Sequence, residues 1–332
     1  MSVQTQASVK VRFAPRRLGH ANIFVGNLER TMKFYNTVVG LEEVCRETGI
    51  EAGFLSNGNT HHDVGCIQAS GATRIGRDGH VQVTGDRGSR PGLNHFGLEM
   101  ENEAQLVAAY LRAKQAGLPL HRTTDHQLSH SIYVFDPEGN LLEFYADMMK
   151  EWWTIFKPET HLISGHWDPT AAPPTAHSFY HASPEIKEVV GAVFRPQRIT
   201  HAALVVRDFG KMLAFYTGVA GLDEVRAGAE DAWAVLRGTA GAHALTLLPE
   251  TAGRPAGVHH IGFAMKDDRA LDEALARARA AGLEPELVLE HPTKRAVFIE
   301  DPDGTRIEFA VERETAFARR KAGDEDLVAY LG

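Results

Sequence analysis

The chain has 332 residues, 43% of them apolar and 23% charged, with a net charge of −8. That length predicts two domains rather than one oversized core, and the composition excludes a largely disordered chain. The acidic balance argues against a nucleic-acid partner, and no apolar run approaches the ~18 residues of a membrane span, so no membrane partner is expected either.

The first nineteen residues carry Lys10, Arg12, Arg16 and Arg17 but no apolar centre, so a signal peptide is not expected and the location reads as cytoplasmic. A strand is predicted at Leu18–Val25, with His20 near its start. A helix follows, capped by Asn27, with Leu28, Met32, Tyr35 and Val39 on one face and a stop at Gly40. Strand-like runs at Val44–Cys45 and Val64–Gln68 complete a β-α-β-β-β unit. The stretch from Gly71 to Gly92, rich in Gly, Arg and Asp and without period, reads as a surface loop. A second unit opens at Leu93–Met100 with His95, and its helix ends at Gly117. Residues 151–196 are rich in Pro, His and Trp, and their aromatics predict a packed connector. Third and fourth units open at Ile199–Val206 with His201 and at His259–Met265 with His260. Their helices end near Gly221 and at Gly282.

The expected fold is therefore α+β, four βαβββ modules paired into two cup-shaped mixed-sheet domains, 1–150 and 197–332, around the 151–196 connector. The register between halves is tight. His20 precedes His62 by 42 residues, and His201 precedes His243 by 42. His95 precedes Glu143 by 48, and His260 precedes Glu308 by 48. Asp136-Pro-Glu-Gly matches Asp301-Pro-Asp-Gly, and His126 matches His291. Tyr133 faces Phe298 at the corresponding position. Duplication preserves spacing whether or not both copies still work.

Alternation along the first strand puts His20, Asn22 and Phe24 on one face and Ala21, Ile23 and Val25 on the other. A curved sheet would point His20, His62, His95, Tyr133 and Glu143 into one concavity. Only two cysteines, Cys45 and Cys66, stand against 17 histidines, so a metal here would be held by nitrogen and oxygen. Two imidazoles and one carboxylate form the facial triad of non-heme Fe(II) oxygenases, which leaves three coordination positions for a chelating diol and O₂.

The paired modules with His, His and Glu resemble the vicinal oxygen chelate superfamily, which includes glyoxalases, resistance proteins, epimerases and type I extradiol dioxygenases. A narrower pattern is similar to the extradiol ring-cleavage signature. It runs Thr124-Asp-His126, five residues, Ile132-Tyr133, two residues, Asp136-Pro-Glu-Gly139, three residues, Glu143. The His61-His62 pair adds to the resemblance. The resemblance implies His20, His95 and Glu143 as metal ligands, and Fe(II), with Mn(II) as the alternative, as the cofactor. It implies O₂ as co-substrate, a small aromatic diol as substrate, and a homo-oligomer. His62 would take a diol proton, Tyr133 would bond the substrate oxygen, and His126 would act beside it, with His130 as the alternative for that place.

The implied activity is an extradiol, meta-cleaving dioxygenase in aromatic catabolism. Two other readings stay open: a non-oxidative metal-dependent lyase or epimerase of the glyoxalase type, and a ligand-sequestering protein. In the better-known two-domain dioxygenases the C-terminal half holds the iron. Here the full signature lies in the N-terminal half, while the C-terminal set of His201, His260 and Glu308 has lost the tyrosine hydroxyl to Phe298.

Overall fold

The computed structural model describes residues 10–76, 79–158, 164–227, 233–313 and 328–331. The first module comprises β1 (Arg17–Val25), α1 (Leu28–Phe34), β2 (Glu42–Glu47), β3 (Ala52–Ser56) and β4 (Val64–Gln68). Two short strands follow, β5 (Arg74–Ile75) and β6 (Val81–Val83). The second module comprises β7 (Gly92–Glu99), α2 (Glu103–Gln115), β8 (Arg122–Asp125), β9 (Ser129–Phe135) and β10 (Leu141–Asp147). The connector contributes β11 (Gly165–His166). The third module is β12 (Arg198–Val206), α3 (Phe209–Phe215), β13 (Asp223–Ala227), β14 (Ala234–Arg237) and β15 (His243–Pro249). The fourth is β16 (Gly257–Ala264), α4 (Asp268–Ala280), β17 (Leu287–His291), β18 (Lys294–Glu300) and β19 (Arg306–Glu312), and a short α5 spans Val328–Leu331.

Each half is one mixed sheet. The first runs β11-β8-β9-β10-β7-β1-β4-β3-β2 and the second β13-β14-β15-β12-β16-β19-β18-β17. In each, the opening strands of the two modules meet as a central antiparallel pair, β1 with β7 and β12 with β16. Each opening strand also pairs in parallel with the last strand of its own module, which the intervening helix makes reachable. The register of β1 shifts between Leu18 and His20 and again between Asn22 and Ile23, and β12 shifts at the same places. Such irregularities bend a strand and raise its twist, and here they curl the sheet around His20 and His201.

The helices lie on the convex side. Asn27, Asn102, Asp208 and Asp267 each accept a bond from the backbone N–H three residues on, which caps all four module helices. α1 and α3 end in π-helical turns, Tyr35–Val39 and Tyr216–Ala220, stopped by Gly40 and Gly221 in left-handed backbone. Ala21, Ile23 and Val25 pack with Met32 and Tyr35 in a buried apolar cluster that continues through Leu204, Val206, Phe263 and Phe309 of the second half. The halves thus share one core.

Their junction repeats with approximate two-fold symmetry. The Phe13 and Ala14 N–H groups donate to Val219 and Ala220, and those of Val193 and Phe194 donate to Thr37 and Val38. Phe13 stacks on Phe144 at 3.9 Å and Phe194 on Phe309 at 3.8 Å. The Tyr35 hydroxyl donates to Asp301, and the Tyr216 hydroxyl to Asp136. Each Asp-Pro-x-Gly turn is therefore an anchor for the opposite half. Among the described residues no helix is long and apolar enough to cross a membrane.

Candidate metal centre

The site is assembled by cross-strand register. His20 on β1 pairs with Gly97 on β7, Gly97 with Glu143 on β10, Glu143 with Tyr133 on β9, and Tyr133 with Arg122 on β8. Directly opposed residues share a face, so this row projects His20, Glu143, Tyr133 and Arg122 into the cup. His95 lies two residues before Gly97 and shares that face. Gly97 leaves the space His20 needs, because a Cβ there would lie 2.1 Å from the imidazole. Gly262 does the same for His201. His95-Phe-Gly97 and His260-Ile-Gly262 therefore carry a repeated His-x-Gly signal that ligand spacing alone overlooks.

Glu143 Oε2 lies 2.8 Å from His20 Nε2 and 2.9 Å from His95 Nε2, and the two imidazole nitrogens are 3.3 Å apart. Cis ligands of a six-coordinate ion with bonds of ~2.1 Å sit ~3 Å apart, so the three donor atoms fit one face of such an ion. Burial holds the His20 pKa down to about 4 against the pull of Glu143, and it lowers His95 as well. Glu143 is held well below the usual carboxylate range by its bonds to both imidazoles, which outweigh its own burial. Two neutral imidazoles and a carboxylate are the protonation states a divalent cation requires. His95 Nδ1 is bonded to Asn94 Oδ1, which fixes the ring orientation.

The remaining site residues surround this cluster. His62 stacks on His20 with ring centres 4.0 Å apart, and both of its nitrogens are buried without a partner. Burial first, then the neighbouring His20, pushes its pKa well below the usual histidine value. His126 Nε2 lies 3.0 Å from the Tyr133 hydroxyl and 3.5 Å from Glu143 Oε1, while its Nδ1 is 2.9 Å from Ser164 Oγ. Burial lowers His126 to about 4, and burial together with Glu143 raises Tyr133, so the tyrosine keeps its proton. His130 is elsewhere: Nδ1 meets Glu103 at 2.7 Å and the ring stacks on Trp167. Neighbouring His61 is drawn toward Asp147, 3.3 Å away.

These side chains open into a cavity. Its far wall is apolar, made by Ile50, Phe54, Ile67, Val83, Leu128 and Phe156. One wall segment differs from the sequence reading. The 71–92 stretch is not a plain surface loop: it forms the β5–β6 hairpin and turns Gln82 and Val83 into the cavity. Val83 is buried in the same apolar cluster as Phe24 and Phe54, an anchor too short to show a period. The connector supplies Phe156 and Ser164, with Trp152 packed beneath. Arg122, Gln82, Glu47, Asn94 and Ser129 line the cavity and Ser164 bonds His126, and the sequence reading anticipated none of them. Arg122 could have been found by registering the β8–β9 hairpin on Tyr133, whereas Gln82 and Ser164 carry no sequence signal.

The second half repeats the row as His201, Gly262, Glu308, Phe298 and Leu287. His201 Nε2 lies 3.1 Å and His260 Nε2 3.6 Å from Glu308 Oε2. An ammonium already stands there: Lys294 Nζ is 2.6 Å from Glu308 Oε1, both groups buried. Phe298 packs with Leu289, Ala296, Ala310 and Tyr330. His243 faces Glu312 at 3.7 Å, and His291 Nδ1 bonds Thr293. The three donors still lie within 4.8 Å of one another, but the carboxylate's charge is already met by lysine, as it is not in the first half.

The model of the Glyoxalase/Bleomycin resistance protein/Dioxygenase superfamily matches residues 17–144 and 198–309, which hold both rows. The chain belongs to this superfamily. Within it, a catechol-2,3-dioxygenase of Bacillus subtilis (strain 168) is 26% identical over 208 residues, 63% of this chain and 66% of that relative. The chain thus spans just under two thirds of the relative's length. Among solved superfamily structures, the Mn(II)-bound glyoxalase of Novosphingobium aromaticivorans aligns with a TM-score of 0.63 at 15% identity, over 93% of this chain and 87% of that one. The 2,3-dioxygenase LapB of Pseudomonas sp. KL28 aligns at 0.61 and 17%, over 92% and 96%.

Proposed function

We propose that the chain is an Fe(II)-dependent extradiol dioxygenase that opens a catechol-type ring with O₂, using His20, His95 and Glu143 as ligands, with Mn(II) as the alternative ion. The observation that carries this reading is the pairing of the triad with a Tyr133–His126–Ser164 hydrogen-bonded chain and a partner-free His62, beside one cavity whose far wall is apolar. The similarity to a catechol-2,3-dioxygenase supports it. A divalent ion bound there would lower the pKa of the diol hydroxyls and hold diol and O₂ side by side.

The chain's own groups would then do the following. Neutral His62 accepts a diol proton on one of its unpartnered nitrogens and returns it as the ring opens. Tyr133, kept protonated, donates a hydrogen bond to the substrate oxygen. His126, tied to Ser164, holds that phenol in place and relays its proton. The apolar wall keeps water from the reacting ring. Overall, the carbon–carbon bond beside the diol breaks and both atoms of O₂ enter the product, with no further oxidant or reductant.

The test is anaerobic loading with Fe(II), then O₂ with a panel of catechols. O₂ uptake and a coloured ring-opened product are expected. Tyr133→Phe should keep its iron yet lose about 10²-fold in rate. No uptake with any catechol would overturn the reading. Turnover with Mn(II), Ni(II) or Zn(II) in the absence of O₂ would instead place the chain with the glyoxalase-type members, whose fold it shares.

A further inference from the structure

Arg122 is the one member of the first-half row that the ring-opening chemistry leaves without a task. It lines the cavity beside His95, Tyr133 and Glu143, and its guanidinium carbon lies 4.2 Å from the centre of the Tyr133 ring. Its Nε is buried without a partner, one terminal nitrogen reaches the Gln82 backbone oxygen at 3.4 Å, and the guanidinium also bonds the Tyr133 side chain, a neutral partner that leaves its charge unmatched. No carboxylate lies within ion-pair distance of it among the described residues. Glu143, the carboxylate in the same row, is already held by two imidazoles.

Gln82, on the same wall, has a side-chain amide nitrogen that is also buried and unpartnered. Nearby Arg87 is lowered by burial and by the charge of Arg122, so two cations share this corner, with Asp86 beside Arg87 and the buried Glu47 elsewhere in the cavity lining. A guanidinium withdrawn from water needs a matching anion, and its planar fork suits a carboxylate. The second half makes the contrast. Where its row has Phe298 in place of the tyrosine, it has Leu287 in place of Arg122, and apolar side chains fill the space. The arginine therefore goes with the half that keeps an open cavity.

We propose that Arg122 and the Gln82 amide form an anion subsite, so that the substrate is an aromatic diol bearing a carboxylate. The diol faces His62, His126 and Tyr133, the carboxylate meets Arg122 and Gln82, and any apolar remainder lies along Ile50, Phe54, Ile67 and Phe156. This names the substrate class for the proposed dioxygenase reaction and rests on that reading for the diol end alone.

Two measurements test it. The first needs no metal and no turnover: calorimetric binding of 4-hydroxybenzoate and its neutral counterpart 4-hydroxybenzamide to the full chain. The acid should bind at least about tenfold more tightly, and the difference should vanish in Arg122→Met. Gln82→Leu should remove part of it and serves as the readout if Arg122→Met does not fold. The second compares the iron-loaded enzyme on 3,4-dihydroxybenzoate and catechol. A kcat/KM preference of about tenfold for the acid is expected, lost in Arg122→Met through KM.

Equal binding of acid and amide by the wild type would overturn the subsite. So would an Arg122→Met variant that slows both diols equally, since the arginine would then be acting on Tyr133. Acid-selective binding without ring cleavage of any diol would overturn the dioxygenase reading and leave the subsite standing.

Discussion

Individual residues decide which half of this molecule can hold a metal. Gly97 is the least conspicuous of them. Its missing side chain lets His20 lie across β7, and a methyl group 2.1 Å from that imidazole would force the ligand away. Gly97→Ala should therefore lower metal affinity by more than about tenfold, a loss typical of disturbing a ligand's support, measured by titration with Fe(II) or Mn(II). Lys294 sets the other half. It stands where the first half has the cavity-lining Ser129, and its ammonium meets the charge of Glu308. On the proposed reading the wild type holds one divalent ion per chain. Lys294→Ser should leave Glu308 uncompensated, destabilise the metal-free protein by about 3–5 kcal/mol, and raise metal content toward two per chain. Elemental analysis and urea unfolding with and without metal check this, and two ions per wild-type chain would refute it. The six residues named from spacing and resemblance, His20, His95, Glu143, His62, His126 and Tyr133, come together in the fold. Arg122, Gln82 and Lys294 were not legible, because an arginine, a glutamine or a lysine in a sequence gives no sign of whether it faces solvent or a cavity.

At the scale of elements, strands and their bends place the chemistry, and straps hold the halves together. The bulges in β1 and β12 curl each sheet at its histidine, and the α1 and α3 packing faces follow the apolar periodicity read from the sequence. The straps were not anticipated, although their signal is present. Phe13-Ala-Pro-Arg-Arg17 precedes His20 as Phe194-Arg-Pro-Gln-Arg198 precedes His201. Each strap crosses to the π-turn of the opposite half and stacks its phenylalanine on a buried aromatic. Phe13→Ala should cost about 3–5 kcal/mol in urea unfolding, the range for emptying a buried aromatic site. A loss under about 1 kcal/mol would show that the strap is dispensable. The β5–β6 hairpin shows why an irregular segment resists reading: Val83 is its buried apolar anchor, and one residue leaves no periodicity to detect. The connector was legible because its aromatics, Trp152, Phe156 and Trp167, are buried.

Among the described residues several buried histidines are held neutral, so stability should respond to acid. His20 and His126 titrate at about 4 in the folded chain, and His62, His95 and His260 are also lowered, all chiefly by burial. The unfolded chain protonates its histidines near 6.5. Below that pH it binds protons that the folded chain refuses, so stability falls as pH drops from 6.5 toward 4, by up to about 1.4 kcal/mol per pH unit for each such group. Urea midpoints of the metal-free protein from pH 7 to 4.5 should show this slope, and His126→Gln should reduce it by about one proton. A slope unchanged in that variant would mean that His126 is not held neutral by the fold. The sequence by itself determined the module count, the duplication, the sheet-facing sets and the residues of the candidate triad, because each is written as a periodicity or a spacing along the chain. Only the tertiary structure decided that one triad opens on a cavity while its twin closes on a lysine, that the straps join the halves into one core, and that an uncompensated arginine lines the cavity. Those outcomes depend on which side chains from distant segments share a space, and that depends on how bent sheets pack together, which spacing along the chain does not record.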